Sequence, residues 1–151
     1  MAIEATEFVL GTRPFVVRRR VRWGECDPAG VVYTPRFTDY LVAAVSLFHE
    51  HLFGGEPADF RQALGVDTPC KGMSLVFQGA LWPGDVFDMA VCVGEIRNAS
   101  YDVHVVATRP DGRAVFTGVF SPICIPRGER RAIPIPDAYR VLLQASQENP
   151  A

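Results

Sequence analysis

Apolar residues recur along this chain with two different periods, and the places where the period changes mark its elements. From Phe15 to Arg22, valines alternate loosely with arginines, the pattern of a first strand. Glu25 to Tyr33 reads as a loop, because its Asp-Pro-Ala-Gly stretch is a strong turn signal. The period then becomes helical: Phe37, Tyr40, Leu41, Ala44, Val45, Phe48 and Leu52 fall mostly three or four apart. Thr34 suits the capping position and Pro35 the first helical one. Gly54-Gly55 closes the helix. Ala43 and Leu47 carry apolar character round much of the circumference, so this helix should be largely enclosed. Glu56 to Leu64 suggests a short second helix.

Beyond it the pattern is mostly that of strands. Met73 to Trp82 reads as one, and Pro83-Gly84-Asp85 as the turn after it. Val86 to Ile96 is a second. In Tyr101 to Thr108 the alternation is clean, with Tyr101, Val103, Val105 and Ala107 on one face and Asp102, His104, Val106 and Thr108 on the other. Pro110-Asp111-Gly112-Arg113 is a hairpin turn, and Ala114 to Ile125 the last long strand. A short C-terminal helix is expected from Pro136 onward, carrying Tyr139, Val141, Leu142 and Leu143. This order predicts an α+β domain, an antiparallel five-stranded sheet wrapped around one long helix. One helix cannot cover both faces of such a sheet, so a homo-oligomer is expected to bury the remainder.

Composition narrows the picture. At 151 residues, 48% hydrophobic and 21% charged, the chain reads as one ordered domain over 1–151. A net charge of −2 argues against sequence-independent nucleic-acid binding. No run of about 18 apolar residues predicts a membrane span. No basic segment followed by an apolar core predicts a signal peptide before Phe15. Cys26, Cys70, Cys92 and Cys124 lack metal-ligand spacing, so no metal is expected, and scattered thiols fit the cytoplasm.

The candidate chemistry lies in the loop before the long helix. Asp27 on a tight turn ahead of a helix N-terminus is either a turn residue bonding its own backbone or a catalyst. The run Glu25-Cys26-Asp27-Pro28-Ala29-Gly30-Val31-Val32-Tyr33, followed by the helix, resembles the signature of the 4-hydroxybenzoyl-CoA thioesterase family. Thr68-Pro69, the turn Glu95 to Tyr101 and the segment Arg131 to Pro136 match it more weakly, and the resemblance spans about 15–139.

That resemblance implies a hotdog fold and an acyl-CoA thioesterase acting on an aromatic acyl group, benzoyl or hydroxybenzoyl, or on a short one. Coenzyme A is then part of the substrate and no cofactor is implied. Asp27 is the implied catalytic carboxylate, attacking the thioester or activating a water, and the two remain open. The family's backbone oxyanion donor maps onto Thr34, where a helix N-terminus would polarise the carbonyl. Gly30, Val31, Tyr33, Val42, Thr68 and Pro69 are the implied substrate-binding positions. Val42 stands where the type enzyme carries an Asp, which makes an acyl group without a hydroxyl there as plausible as one with it.

Arg97, Asn98 and Ser100 are candidate contacts for the coenzyme A phosphates, with Arg127, Arg130 and Arg131 a second basic cluster. Glu25 is expected to brace its loop. A homodimer assembling into a homotetramer is expected, with the site between subunits. Two other readings stand beside this one. A hotdog dehydratase or hydratase usually needs a His at the helix start, and none lies between Asp27 and Phe37. A non-catalytic acyl-CoA-binding module would not need Asp27.

Overall fold

The computed structural model describes residues 5–147. Of the single domain expected over 1–151, the first four and last four residues lie outside the described residues. The elements in chain order are β1 (Glu7–Thr12), β2 (Phe15–Arg20), α1 (Arg36–Phe53), α2 (Pro57–Leu64), β3 (Val66–Asp67), β4 (Cys70–Phe77), β5 (Val86–Ile96), β6 (Tyr101–Thr108), β7 (Ala114–Pro122), β8 (Ile125–Pro126) and α3 (Asp137–Gln147). Six strands form one antiparallel sheet in the order β1-β2-β5-β6-β7-β4, and β3 pairs with β8 apart from it.

Alternation along the central strands decides which face is the core. Phe87, Met89, Val91 and Val93 of β5 and Tyr101, Val103, Val105 and Ala107 of β6 are buried, while their neighbours are not. α1 lies against that buried face. Phe37, Tyr40, Leu41, Ala44, Val45, Phe48 and His49 point into the core, and Phe37 meets Phe77 and Phe116 edge-on. At the centre of the contact Gly118 of β7 leaves room for Leu41. A Cβ there would lie 3.0 Å from one Leu41 methyl carbon and 3.2 Å from a Leu75 one. α3 closes one end, with Tyr139 and Leu143 buried.

The sheet has six strands where the pattern predicts five. The extra strand, β1, is an edge strand whose three consecutive apolar residues, Phe8, Val9 and Leu10, are all exposed, so no alternation announces it. β4 also starts and ends earlier than the Met73–Trp82 segment suggests. Both Gln78 and Gly79 donate their N–H to Val115 C=O, which breaks the ladder just past Phe77. β7 ends at Pro122 instead of Ile125, because the chain leaves the main sheet there to pair β8 with β3. Among the described residues no helix is long and apolar enough to cross a membrane.

Candidate active site

The loop from Glu25 to Tyr33 folds into a narrow antiparallel clamp ahead of α1. Cys26 pairs with Val32 in an isolated bridge. Asp27 N–H donates to Val31 C=O, and Tyr33 N–H to Glu25 C=O. The turn closes through Gly30 at φ +84°, a left-handed conformation that favours glycine, with open space around it. Inside the turn Ala29 N–H donates to Asp27 Oδ1 at 2.8 Å. That bond uses one carboxylate oxygen and leaves Oδ2 without a partner among the described residues. Asp27 therefore shapes its own turn and still presents a free acceptor.

The Glu25 carboxylate is already engaged. It receives Arg19 at 2.5 Å and Arg22 N–H at 2.8 Å, and the same Arg19 reaches Glu7 on β1 at 3.0 Å. The Arg19 guanidinium lies 4.9 Å from the Tyr40 ring centroid on α1. Two strands, the loop and the helix thus share one ion-paired cluster, and Glu25 is a brace. The cluster is not fully satisfied: Arg19 Nε and the Tyr40 hydroxyl are buried without hydrogen bonds of good geometry. Burial, with Glu25 close by, pushes the Tyr40 phenol well above its ordinary value.

The helix start differs from a simple threonine cap. Pro35 already has helical dihedrals (φ −62°, ψ −20°), as the sequence suggests, but the Thr34 hydroxyl makes no capping bond. The first turn is satisfied instead by tight backbone bonds from Arg36 to Tyr33, Phe37 to Thr34 and Thr38 to Pro35. The Thr34 N–H has no partner among the described residues, and Pro35 has no N–H to offer. One backbone donor is left open at the positive end of the α1 dipole. Val31 is half-buried and Tyr33 exposed on either side of the tightly packed Val32, whose N–H is tied to Leu81 C=O.

Val42, Thr68 and Pro69 come together elsewhere. They line a cavity of about 530 Å3 with Val45, Ser46, His49, Phe120, Pro122 and Ile125, and with Arg61 and Asp67. Val42 lies eight residues beyond Thr34, so the cavity opens about 12 Å further along the helix axis. Within one chain the clamp and the cavity are two separate places. Ser46 and His49 were not singled out as site residues, although they follow Val42 at i+4 and i+7, on the same helix face.

The coenzyme A candidates are differently placed. Ser100 is buried and accepts from Arg97 Nε, so it is a packing residue and not a surface donor. Arg97 is engaged twice by Asp102, at 2.6 and 3.1 Å, and once by Glu95. Asn98 is exposed, and its backbone carbonyl receives Ile135 and Arg140. Burial and the nearby Glu25, Asp27 and Asp85 carboxylates push the Cys26 thiol up, away from a reactive thiolate. Among the described residues no group of three or more His, Cys, Asp or Glu is arranged to hold a metal ion.

A family model described as the thioesterase-like superfamily matches residues 21–144. The chain belongs to the thioesterase-like superfamily. Its activity class is thioester hydrolysis, and its sheet wrapped on one helix is the hotdog fold. The 4-hydroxybenzoyl-CoA thioesterase from Pseudomonas sp. strain CBS-3 aligns with a TM-score of 0.72 at 27% identity, covering 84% of this chain and 98% of that one. A 1,4-dihydroxy-2-naphthoyl-CoA thioesterase from Synechocystis aligns at 0.77 and 17% identity, over 86% and 95%. A Staphylococcus aureus protein solved in complex with CoA aligns at 0.82 and 13% identity, over 99% and 90%. The last two speak for the fold alone. No curated protein sequence matches the chain.

Proposed function

We propose that this thioesterase hydrolyses an acyl-CoA to free acid and coenzyme A. The observation that carries the reading is the unengaged Thr34 N–H at the start of α1, on the same loop as the free Asp27 Oδ2. The thioester carbonyl oxygen would accept from Thr34 N–H, where the helix dipole favours the growing negative charge. Asp27 would then attack the carbonyl carbon, giving a mixed anhydride and expelling thiolate, or take a proton from an attacking water. Thiolate leaves readily, so no general acid is required, which fits a clamp without histidine. The acyl group is an aromatic one, benzoyl or hydroxybenzoyl, or a short one. The family and the substrate named for the Pseudomonas relative support this. Val42 favours an acyl group that needs no hydroxyl at that depth. Coenzyme A contact falls to Asn98 and the exposed edge of Arg97, with Arg127, Arg130 and Arg131 as further candidates.

The reading includes a homodimer with the site between subunits. A benzoyl group held at Thr34 is too short to reach the cavity of its own chain, about 12 Å or more along the helix. A second copy, docked antiparallel, would bring its cavity to the clamp. The free edge of β4 supports this, with Met73, Val76 and Phe77 exposed along a strand that follows Pro69 directly. Pairing of dimers into a tetramer would use the outer sheet face, where Val76 and Val106 are also exposed. Four unpaired cysteines support a cytoplasmic location.

The test is Asp27→Asn with thiol release followed across aromatic, short, branched and long acyl-CoAs. Turnover is expected to fall by about 10^2- to 10^4-fold with acyl-CoA binding retained. Unchanged turnover would remove Asp27 from the chemistry.

A further inference from the structure

The cavity beyond Val42 mixes apolar and polar side chains about equally in its wall, and a histidine is among them. His49 is only 8% exposed. Its Nε2 shares a 2.8 Å hydrogen bond with the Tyr101 hydroxyl, which in turn lies 2.5 Å from the Tyr139 hydroxyl. The ring stacks on Phe53 at an interplanar angle of 2°. Both the ring plane and one nitrogen are therefore fixed. The other nitrogen, Nδ1, has no partner among the described residues and is not sealed from solvent. Ser46, one turn earlier on α1, and Thr68 opposite add hydroxyls to the same wall.

The chemistry of the occupant follows from this set. Burial, with Arg61 nearby, lowers His49 to about 4, so the imidazole is neutral at ordinary pH. If Tyr101 donates to Nε2, Nδ1 carries the proton and donates. If Tyr101 accepts, Nδ1 is bare and accepts. A hydroxyl both donates and accepts, so it satisfies Nδ1 in either tautomer. A carboxylate fits only one tautomer.

We propose that this cavity receives the distal end of the acyl group and that His49 reads a hydroxyl there. The inference rests on the thioesterase reading above and deepens it: His49 would be a specificity-determining residue.

The experiment has two independent arms. In the first, kcat/KM is measured for benzoyl-CoA and its 2-, 3- and 4-hydroxy counterparts, and for longer aryl-alkanoyl-CoAs with and without a ring hydroxyl. At least one hydroxylated member is expected to exceed its unsubstituted partner by on the order of tenfold, the cost of leaving a buried polar group unpaired. His49→Leu should bring that ratio to near one, and His49→Gln, which keeps donor and acceptor, should restore part of it. No hydroxyl preference in the wild type, a ratio unchanged in His49→Leu, or a preference for a terminal carboxylate would overturn the proposal.

In the second arm, the free hydroxyaryl and aryl acids are titrated into wild-type protein while the His49 ring nitrogens are followed by NMR. A hydroxyl-dependent shift at Nδ1 is expected, and its absence overturns the proposal even where a His49 variant does not fold. This arm does not depend on hydrolysis. Loss of all acyl-CoA turnover with the Nδ1 shift intact would sink the Asp27 reading and leave His49 standing.

Discussion

Asp27 makes the hydrogen bond of an ordinary turn residue and keeps a free oxygen, so its turn role leaves room for the chemical role proposed for it. In the proposed mechanism Thr34 acts through its backbone. Because its hydroxyl makes no capping bond, Thr34→Ala should change stability by less than about 0.5 kcal/mol and leave turnover intact, whereas a true threonine cap costs about 1 kcal/mol to remove. Chemical unfolding and thiol release check both halves. His49 gives a pH signature. Its folded-state value of about 4 lies below the ordinary 6.5. As pH falls below 6.5 the unfolded chain takes up a proton that the folded chain refuses, so stability declines between pH 6.5 and 4. The full loss is roughly 3 kcal/mol. Denaturant unfolding at several pH values should show a slope over that window that flattens in His49→Gln. An equal slope in both proteins would count against a neutral, buried His49.

At the scale of elements, the seating of α1 on the sheet is the feature on which both clamp and cavity depend. The helix carries the open N–H at one end and the Val42–Ser46–His49 face further along, so a shift of the helix moves both. Gly118 sets the spacing at its middle. Gly118→Val would place carbon within about 3 Å of Leu41 and Leu75, and overpacking of that kind costs about 1–3 kcal/mol. The midpoint of chemical unfolding should fall accordingly, and an unchanged midpoint would mean that the helix can lift without cost. The long helix was plain from Phe37 to Leu52 because seven apolar side chains keep one period. β1 was not, because an edge strand with three exposed apolar residues carries no period at all. The far ends of β4 and β7 were misplaced for a related reason. Where a strand stops is decided by which carbonyl its partner offers, as Val115 does to Gln78 and Gly79.

For the whole molecule, the unpaired edge of β4 and the distance from clamp to cavity point the same way. Sedimentation at micromolar concentration should find a dimer or a tetramer, and a stable monomer would contradict the shared site. The sequence by itself determined the fold class, the long helix and the clamp. Those rest on short-range rules: the helical period, the Asp-Pro-Ala-Gly turn, and glycine at a left-handed turn position. The family resemblance, in turn, implied Thr68 and Val42, which lie in one cavity. Only the tertiary structure decided that Glu25 is a brace tied to Arg19 and Glu7, that Ser100 is buried under Arg97, and that His49 faces a cavity with one nitrogen free. Each of these is set by residues from another part of the chain: Arg19 reaching back to Glu7, Ile123 bridging to Ser100, Tyr101 meeting His49 from the sheet. Such pairings depend on how strands and helix are brought together in space, and no local pattern in the sequence carries that information.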